Sequence, residues 1–205
     1  MKPDFSKAQN EATKLLLKQN FNSLNIDVRT FKFDRNIKID SIQHYAKIVN
    51  KNVSDFCCSE LSGCLVLKVP KFGLSIILYD DSEKNERRKH WGIVHEIGHI
   101  YLDHTSDGDV QEIEANFFAA QIVTPEIVLI NFAKMQGGHL SSDDIYENFN
   151  CSSISSHKRI KTLSSYTWSY NEYDKMLLAK FKPIIKHFFK RKKMDSKHIY
   201  PIFAL

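Results

Sequence analysis

The 205-residue sequence lacks several features that would place it in other classes of protein. It contains no apolar run long enough to span a bilayer, and its first residues have no apolar core like that of a signal peptide. Low-complexity segments and internal repeats are also absent. We therefore expect a cytoplasmic protein without a transmembrane segment, and its hydrophobic content of 42% is sufficient for a packed core.

Cysteine is scarce and is not spaced for metal binding. The four cysteines are Cys57, Cys58, Cys64 and Cys151, with no Cys-x-x-Cys spacing among them. Adjacent cysteines rarely pair with each other, so reduced thiols packed in a core are the expectation. The same spacing argues against a second metal site built from cysteines.

One motif in the segment from Trp91 to Leu102 organises the interpretation of the chain. It reads His95-Glu96-Ile97-Gly98-His99, the spacing that zinc peptidases use. On a helix, positions i and i+4 lie on one face, so the two imidazoles can reach one metal ion. Glu96 then lies beside the ion, where a carboxylate can serve as a general base toward water.

The residues that flank this motif decide between a metal site and a chance pattern. A bare five-residue match also occurs in surface helices. Here the flanking residues are apolar on several sides, which predicts a buried helix whose polar side chains need a partner such as a metal ion. Gly98 costs the helix about 1 kcal/mol relative to alanine, and it allows another segment to approach closely between the two histidines.

A third ligand must come from further along the chain. The metzincin pattern would require glycine at 102 and histidine at 105, and Leu102 and Thr105 exclude it. His104 falls on the opposite face if the helix continues. The run from residue 112 to Pro125 predicts a second helix, and a carboxylate from it would complete an open three-ligand zinc site.

These residues resemble the ImmA/IrrE family of bacterial zinc-dependent metallo-endopeptidases. The resemblance rests on His95-Glu96-x-x-His99, then Glu112-x-x-Ala115-Asn116-x-Phe118-Ala119-Ala120, then Pro125. The segment Ser75–Tyr79 with Arg87 and Arg88, and the helical pair near 141–163, are also similar, so roughly residues 60–165 are covered. The resemblance implies Glu112 as the third zinc ligand, with Glu114 as the runner-up. It also implies a helix-turn-helix transcriptional repressor as the protein substrate, in mobile-element or stress regulation.

The expected fold is α+β, with a zincin-like (minimal gluzincin) domain over residues 1–136. Helices are predicted over 6–20, with Ser6 as a cap, and over 42–49, with Ser41 as a cap. A small antiparallel sheet is predicted from extended segments within 26–39 and over 53–58, 64–69 and 74–79.

Two sets of residues are secondary candidates for the chemistry. The strand 74–79 is predicted to present an edge to an extended substrate peptide. Its substrate-binding candidates are Ile76, Ile77, Leu78 and Tyr79. Tyr101 and His104 are candidate hydrogen-bond donors to the oxyanion.

The C-terminal part of the chain is basic and helical. Residues 137–165 predict a helix-turn-helix-like pair whose second helix exposes His157, Lys158, Arg159 and Lys161, as either a DNA-reading unit or a hairpin packed on the peptidase. Residues 166–205 predict a basic amphipathic tail that Pro183 bends or divides. Residues 151–205 carry a net charge of +9, with 12 lysines and arginines against three acidic residues. Such a tail suits weak contact with nucleic acid, an anionic membrane surface or an acidic partner, but docking of its apolar face on the domain is favoured.

The sequence therefore predicts a zinc metallopeptidase. In this prediction His95 and His99 bind Zn²⁺ together with Glu112, the ligand that the resemblance implies, and Glu96 is the catalytic base. The alternative is a DNA-binding transcriptional regulator with a structural or sensory metal site. The intact Glu96 argues against this alternative, because a structural site has no use for a base at that position.

Overall fold

Most of the chain is helical in the computed structural model, which describes residues 2–56, 63–106, 108–165 and 170–197. The helices in chain order are α1 (Phe5–Leu17), α2 (Ile42–Ile48), α3 (Glu86–Tyr101), α4 (Asp109–Val123), α5 (Glu126–Met135), α6 (Ser142–Asn148), α7 (Ser153–Ser165) and α8 (Glu172–Lys197). The strands are β1 (Ile37–Ser41), β2 (Cys64–Val69) and β3 (Leu74–Tyr79). The α+β class is as predicted.

The sheet is mixed rather than antiparallel, which corrects the prediction. Its strand order is β1-β3-β2, with β3 parallel to β1 and antiparallel to β2. The strands 64–69 and 74–79 begin and end where the sequence predicts. The strand expected over 53–58 is wrong for its described part, because Val53–Asp55 forms a 3-10 turn. Cys57 and Cys58 lie outside the described residues.

The two faces of the sheet pack against different helices. Cys64, Val66 and Ile77 face the main core with α3, whereas Leu65, Leu67 and Ile76 pack with α2. This alternation follows from the two-residue period of a strand. The sheet therefore forms a layer that supports α3, the helix that carries the histidine motif.

The helix caps show how local sequence sets the ends of the elements. Ser41 Oγ accepts a hydrogen bond from His44 N at the start of α2, as predicted. At the start of α1 the cap is Asp4, whose side chain accepts from Lys7 N, and not Ser6. Ser141 and Asp144 form a capping box at α6.

The C-terminal helix belongs to the core. In α8, Leu177, Phe181 and Ile185 are almost fully buried in the same cluster as α1 and α5. Its apolar face therefore docks on the domain, which confirms the favoured alternative. Pro183 does not divide the helix, because the buried residues on either side hold both halves in place.

One apolar stretch meets the length and composition of a membrane span, but most of it is buried inside the protein. It is Asp109–Met135, which covers α4 and α5, and 67% of its most apolar window is buried inside the protein. Pro125 separates its two helices. This burial is typical of the core helices of a globular fold.

Candidate metal centre

Helix α3 brings the two motif histidines together. Asn85 caps it by accepting a hydrogen bond from Arg88 N at 3.1 Å, and Glu86 follows in the first turn, where a negative charge is favourable. The helical repeat then stacks His95 and His99, whose ring centroids lie 4.7 Å apart and whose Nε2 atoms lie 3.0 Å apart. Both nitrogens point toward the same place.

Helix α4 crosses α3 closely enough to supply a carboxylate. A Cβ atom placed on Gly98 would lie 3.2 Å from the Cα and O atoms of Ala115, so the predicted close approach at this glycine is confirmed. The contact brings Glu112 over the histidines. Its Oε2 lies 3.2 Å from His95 Nε2, and its Oε1 lies 3.3 Å from His99 Nε2.

The three side chains fit a divalent metal ion such as zinc. Their potential ligand atoms all lie within 4.8 Å of one another, as they do in no other group among the described residues. Tetrahedral bonds of about 2.0–2.1 Å place neighbouring ligands about 3.3 Å apart, close to the 3.0–3.3 Å observed here. The side chains of His95, His99 and Glu112 are 4%, 11% and 22% exposed, so a bound ion would be reachable from solvent.

Glu96 follows the first histidine directly and is half-buried. One residue along a helix is a rotation of about 100°, which puts its carboxylate beside the cluster rather than on the line of the two histidines. This is the relation that the sequence predicts for a base that acts on water next to a metal ion.

His104 lies behind His99, not on the opposite face as the sequence suggested. Helix α3 ends at Tyr101, and Asp103 adopts a left-handed conformation with φ of 59°. His104 N then donates to His99 O at 3.0 Å and Asp103 N to Ile100 O, a Schellman motif. This turn folds the His104 ring back until its Nδ1 is 3.0 Å from His99 Nδ1.

A chain of hydrogen bonds continues from His99 through His104 and Glu114 to the backbone of Asp4. His104 Nε2 lies 2.9 Å from Glu114 Oε2, and Asp4 N donates to Glu114 Oε1 at 2.5 Å. If His99 Nε2 keeps its lone pair for a metal ion, His99 Nδ1–H donates to His104 and His104 Nε2–H donates to Glu114. Glu114 therefore acts on His104, whereas Glu112 joins the histidine cluster.

Neither candidate donor to an oxyanion is placed for that role. Both ring nitrogens of His104 are engaged by His99 and Glu114. Tyr101 is 4% exposed and donates its hydroxyl to Asp34 Oδ1 at 2.5 Å, on another side of α3. Burial raises the pKa of Tyr101, and hydrogen bonds from Lys18 and Tyr101 lower the pKa of Asp34 to about 2. Both side chains therefore use their polar hydrogens within the protein, which argues against the role that the sequence suggested.

The prediction that β3 presents a free edge to the substrate is wrong, because β3 is the central strand of the sheet. The backbones of Ile76, Ile77, Leu78 and Tyr79 are flanked by β1 on one side and β2 on the other. The edge near the metal centre belongs to β2, which pairs only with β3 among the described residues. Lys68 on β2 donates its Nζ to His104 O at 3.4 Å, so this edge lies beside the end of α3.

The sequence did not predict the connection between His104 and Glu114. One signal for it was available: Asp103 is among the residues that tolerate the left-handed conformation, which marks a helix end. A second misplaced residue is Arg159, predicted as exposed. It is 4% exposed, and its Nε and Nη2 donate to Thr124 O at 3.2 and 2.8 Å.

Comparison with known families supports the interpretation of this centre. The model of the peptidase M78 family, described as the IrrE N-terminal-like domain, matches residues 47–161, more than half of the chain. The chain belongs to this family. The M78 match covers α3 and α4 with all three candidate ligands, and it indicates a peptidase. No curated protein and no solved structure gives a significant match.

Proposed function

We propose that this M78 protein is a zinc-dependent endopeptidase that cleaves a helix-turn-helix transcriptional repressor. The observation that carries the proposal is the convergence of His95, His99 and Glu112, with Glu96 adjacent, in a member of a peptidase family. The repressor as substrate rests on the resemblance to the ImmA/IrrE peptidases.

The ligand set would hold the ion on one side and leave another side open. Two imidazole nitrogens and one carboxylate are the donors of the open three-ligand zinc sites of peptidases. When bound there, zinc polarises the scissile carbonyl and lowers the pKa of a water molecule. His104 would hold His99 in the tautomer and orientation that present Nε2 to the ion.

Glu96 supplies the proton transfers. Its carboxylate accepts a proton from the attacking water and then donates it to the nitrogen of the leaving amine. Its position on α3, one residue from His95, fixes it relative to the ligands without making it one of them. A purely structural metal site would need no such base.

The β2 edge is the surface that would align an extended peptide. A substrate segment added beside Cys64–Val69 would form main-chain hydrogen bonds as an additional strand. This edge takes the role that the sequence assigned to β3, because β3 has strands on both sides. The position of Lys68 over His104 O brings such a peptide close to α3.

The test is cleavage of a repressor encoded next to the gene. The wild-type protein and Glu96→Gln are incubated with the purified repressor, with and without a chelator, and zinc is measured by elemental analysis. We expect one zinc per chain in both proteins. We expect the wild-type protein to cleave the repressor in a chelator-sensitive reaction. We expect the cleavage rate of Glu96→Gln to be lower by a factor of about 10²–10⁴.

Glu147→Gln is the matched control, because Glu147 is an exposed carboxylate on α6. It should keep both zinc and full activity. Undiminished cleavage by Glu96→Gln would refute the mechanism. A zinc-loaded wild type that leaves the repressor intact would refute the substrate.

A further inference from the structure

A cavity of about 830 Å³ lies on the side of α4 that faces α7, outside the metal cluster. Its walls come from α1, α4 and α7, with Trp91 of α3 and with Tyr170 and Asn171 just before α8. None of His95, His99 and Glu112 lines it. Its volume is in the range of small-molecule sites, about 300–1,000 Å³, and is large for a single amino-acid side chain.

The charge of the lining has one sign. Among the described residues that form the walls, Lys158 and Arg159 are cations and none is an aspartate or glutamate. Lys158 is exposed at the cavity, whereas Arg159 is buried in its floor. A concave surface with two neighbouring cations and no carboxylate attracts an anion.

The guanidinium of Arg159 uses only part of its hydrogen-bonding capacity within the described part of the protein. One edge of its guanidinium donates to Thr124 O, and in the described part of the chain no carboxylate forms an ion pair with it. The carboxylate whose charge acts on Arg159 is Glu126, and burial raises the pKa of Glu126 to about 7, so its negative charge is incomplete near neutral pH. Burial also lowers the pKa of Arg159 to about 10. A buried cation in this setting gains from an anionic partner.

The rest of the wall is aromatic and amide-rich. Phe5 and Phe117 pack with ring centroids 4.9 Å apart, and Trp91 and Tyr170 add two more rings to the lining. Amide side chains, such as that of Asn116, complete the lining of the cavity. Aromatic walls favour a flat apolar body, and the few polar groups fix its orientation.

We propose that this cavity binds a small organic anion, a carboxylate or phosphate carried on a flat apolar body, through Arg159 and Lys158. Trp91 lies one helical turn before His95, and Asn116 lies one turn after Glu112. The bound anion would therefore contact both helices that carry the metal centre, without contacting the three candidate ligands.

Three probes with the same body test the charge requirement. They are 1-naphthaleneacetate, 1-naphthyl phosphate and the neutral 1-naphthaleneacetamide, titrated calorimetrically into the full chain. We expect at least one of the anions to bind about tenfold more tightly than the amide, as one charged hydrogen bond would produce. The tighter of the two anions identifies the group that the cavity prefers. Equal binding of all three probes would overturn the proposal.

A carboxylate could also bind a metal ion, so each titration is repeated on chelated protein. Binding in the cavity should be unchanged by chelation. Anion binding that disappears with the metal would place the probe at His95 and His99 and would overturn the proposal. This control also separates the cavity from the peptidase proposal, since the cavity needs neither zinc nor activity.

Variants locate the site. Arg159→Gln should reduce anion binding about tenfold while leaving the amide unchanged, and Lys158→Gln should have a smaller effect in the same direction. Because Arg159 is buried, its variant is first checked by thermal unfolding. Ala120→Phe, which fills the cavity from α4, decides the question if Arg159→Gln does not fold.

Lys190→Gln is the charge-matched control, since Lys190 is exposed on α8 and does not line the cavity. It should bind all three probes as the wild type does. Ala120→Phe should lose all three. A folded Ala120→Phe protein with wild-type anion binding would show that the anion binds elsewhere, and the proposal would fail.

Discussion

Two polar clusters in the described part of the chain, the candidate metal centre and the group around Arg159, are assembled over different distances in the sequence. The metal centre uses α3 and α4, which follow each other directly, and its histidines are set by a single helical repeat. The cluster around Arg159 joins Thr124 and Glu126 to α7 and to Tyr170 before α8. The first cluster is a local pattern with one tertiary contact, whereas the second exists only after four segments have packed.

The clusters also differ in what completes them. The three donors of the metal centre converge on a point that suits an ion. In the second cluster, Tyr170 donates to Glu126 Oε1 at 3.3 Å, and the other carboxylate oxygen, Oε2, is buried without a hydrogen-bond partner in the described residues. The first is arranged for a ligand, whereas the second buries a carboxylate oxygen without a partner among the described residues, so we expect the second cluster to respond to pH.

The largest expected effect is the loss of zinc affinity when the third candidate ligand is removed. Glu112→Gln removes a charged donor from the cluster, and we expect zinc affinity to fall by more than about 100-fold. Glu114→Gln is the paired variant, and its loss should be smaller because Glu114 acts through His104. Competition with a chromogenic chelator measures both. The reverse order of the two variants would show that the assignment of Glu112 is wrong.

The crossing of α3 and α4 is the next most sensitive feature. Gly98→Val puts a branched side chain where even a Cβ atom would lie 3.2 Å from backbone atoms of Ala115. We expect the free energy of unfolding to fall by about 1–3 kcal/mol or more, as overpacking of a core does, with weaker zinc binding as a consequence. Urea unfolding of the metal-free protein isolates the packing effect. A variant with wild-type stability would mean that the helices separate without cost.

The candidate metal centre could be predicted from the sequence because its determinants are local, whereas the strand pairing beside it could not. The motif, the ends of β2 and β3, and the cap of α2 follow from short-range patterns. The position of β3 in the centre of the sheet depends on pairing with β1, which no local pattern specifies. A lysine- and arginine-rich helix likewise does not reveal that Arg159 points inward, because tertiary packing decides which face is buried.

The Arg159 cluster should make stability fall as pH rises. Burial raises the pKa of Glu126 from 4.5 to about 7, so the folded protein binds the proton more tightly than the unfolded chain. Its contribution is full below pH 4.5 and is lost as pH rises through about 7, by at most about 3 kcal/mol. Glu126→Gln should remove this part of the pH dependence, and Glu147→Gln should keep it. Chemical unfolding at several pH values between 4 and 8 tests the difference, and identical profiles for wild type and Glu126→Gln would contradict it.

A smaller effect is expected from the residue behind the metal ligand. His104→Ala removes the hydrogen-bond partner of His99 Nδ1, and we expect zinc affinity to fall by about 10–100-fold. Global stability should also fall, by about 1–3 kcal/mol, since Glu114 loses a largely buried hydrogen-bond partner, so zinc binding is measured on protein shown to be folded. His104→Gln offers a side chain that can still accept a hydrogen bond and should recover part of the affinity. Unchanged zinc binding in His104→Ala would mean that His99 is held by packing alone.

The smallest expected effect concerns the basic surface of α8. Deleting this helix is not informative, because Phe181 and Ile185 are fully buried and the deletion would unfold the domain. The informative variant is Lys182→Gln, Lys186→Gln and Lys190→Gln combined, since these side chains are exposed. We expect the wild type to bind duplex DNA weakly and without sequence preference, with a dissociation constant of about 10⁻⁴–10⁻⁶ M at physiological salt.

Salt dependence distinguishes a DNA-contacting surface on α8 from a solvated one. If the three lysines contact phosphates, the combined variant should lower the slope of log K against log salt by about 0.9 for each lost contact. The charge-matched control replaces Lys47, Lys51 and Lys71, exposed residues far from α8 in sequence, and should leave the slope unchanged. An unchanged slope in the α8 variant would show that these lysines are solvated and do not contact DNA. Tight, sequence-selective binding that persists at high salt would instead favour the DNA-binding regulator over the peptidase, because weak surface electrostatics cannot produce it.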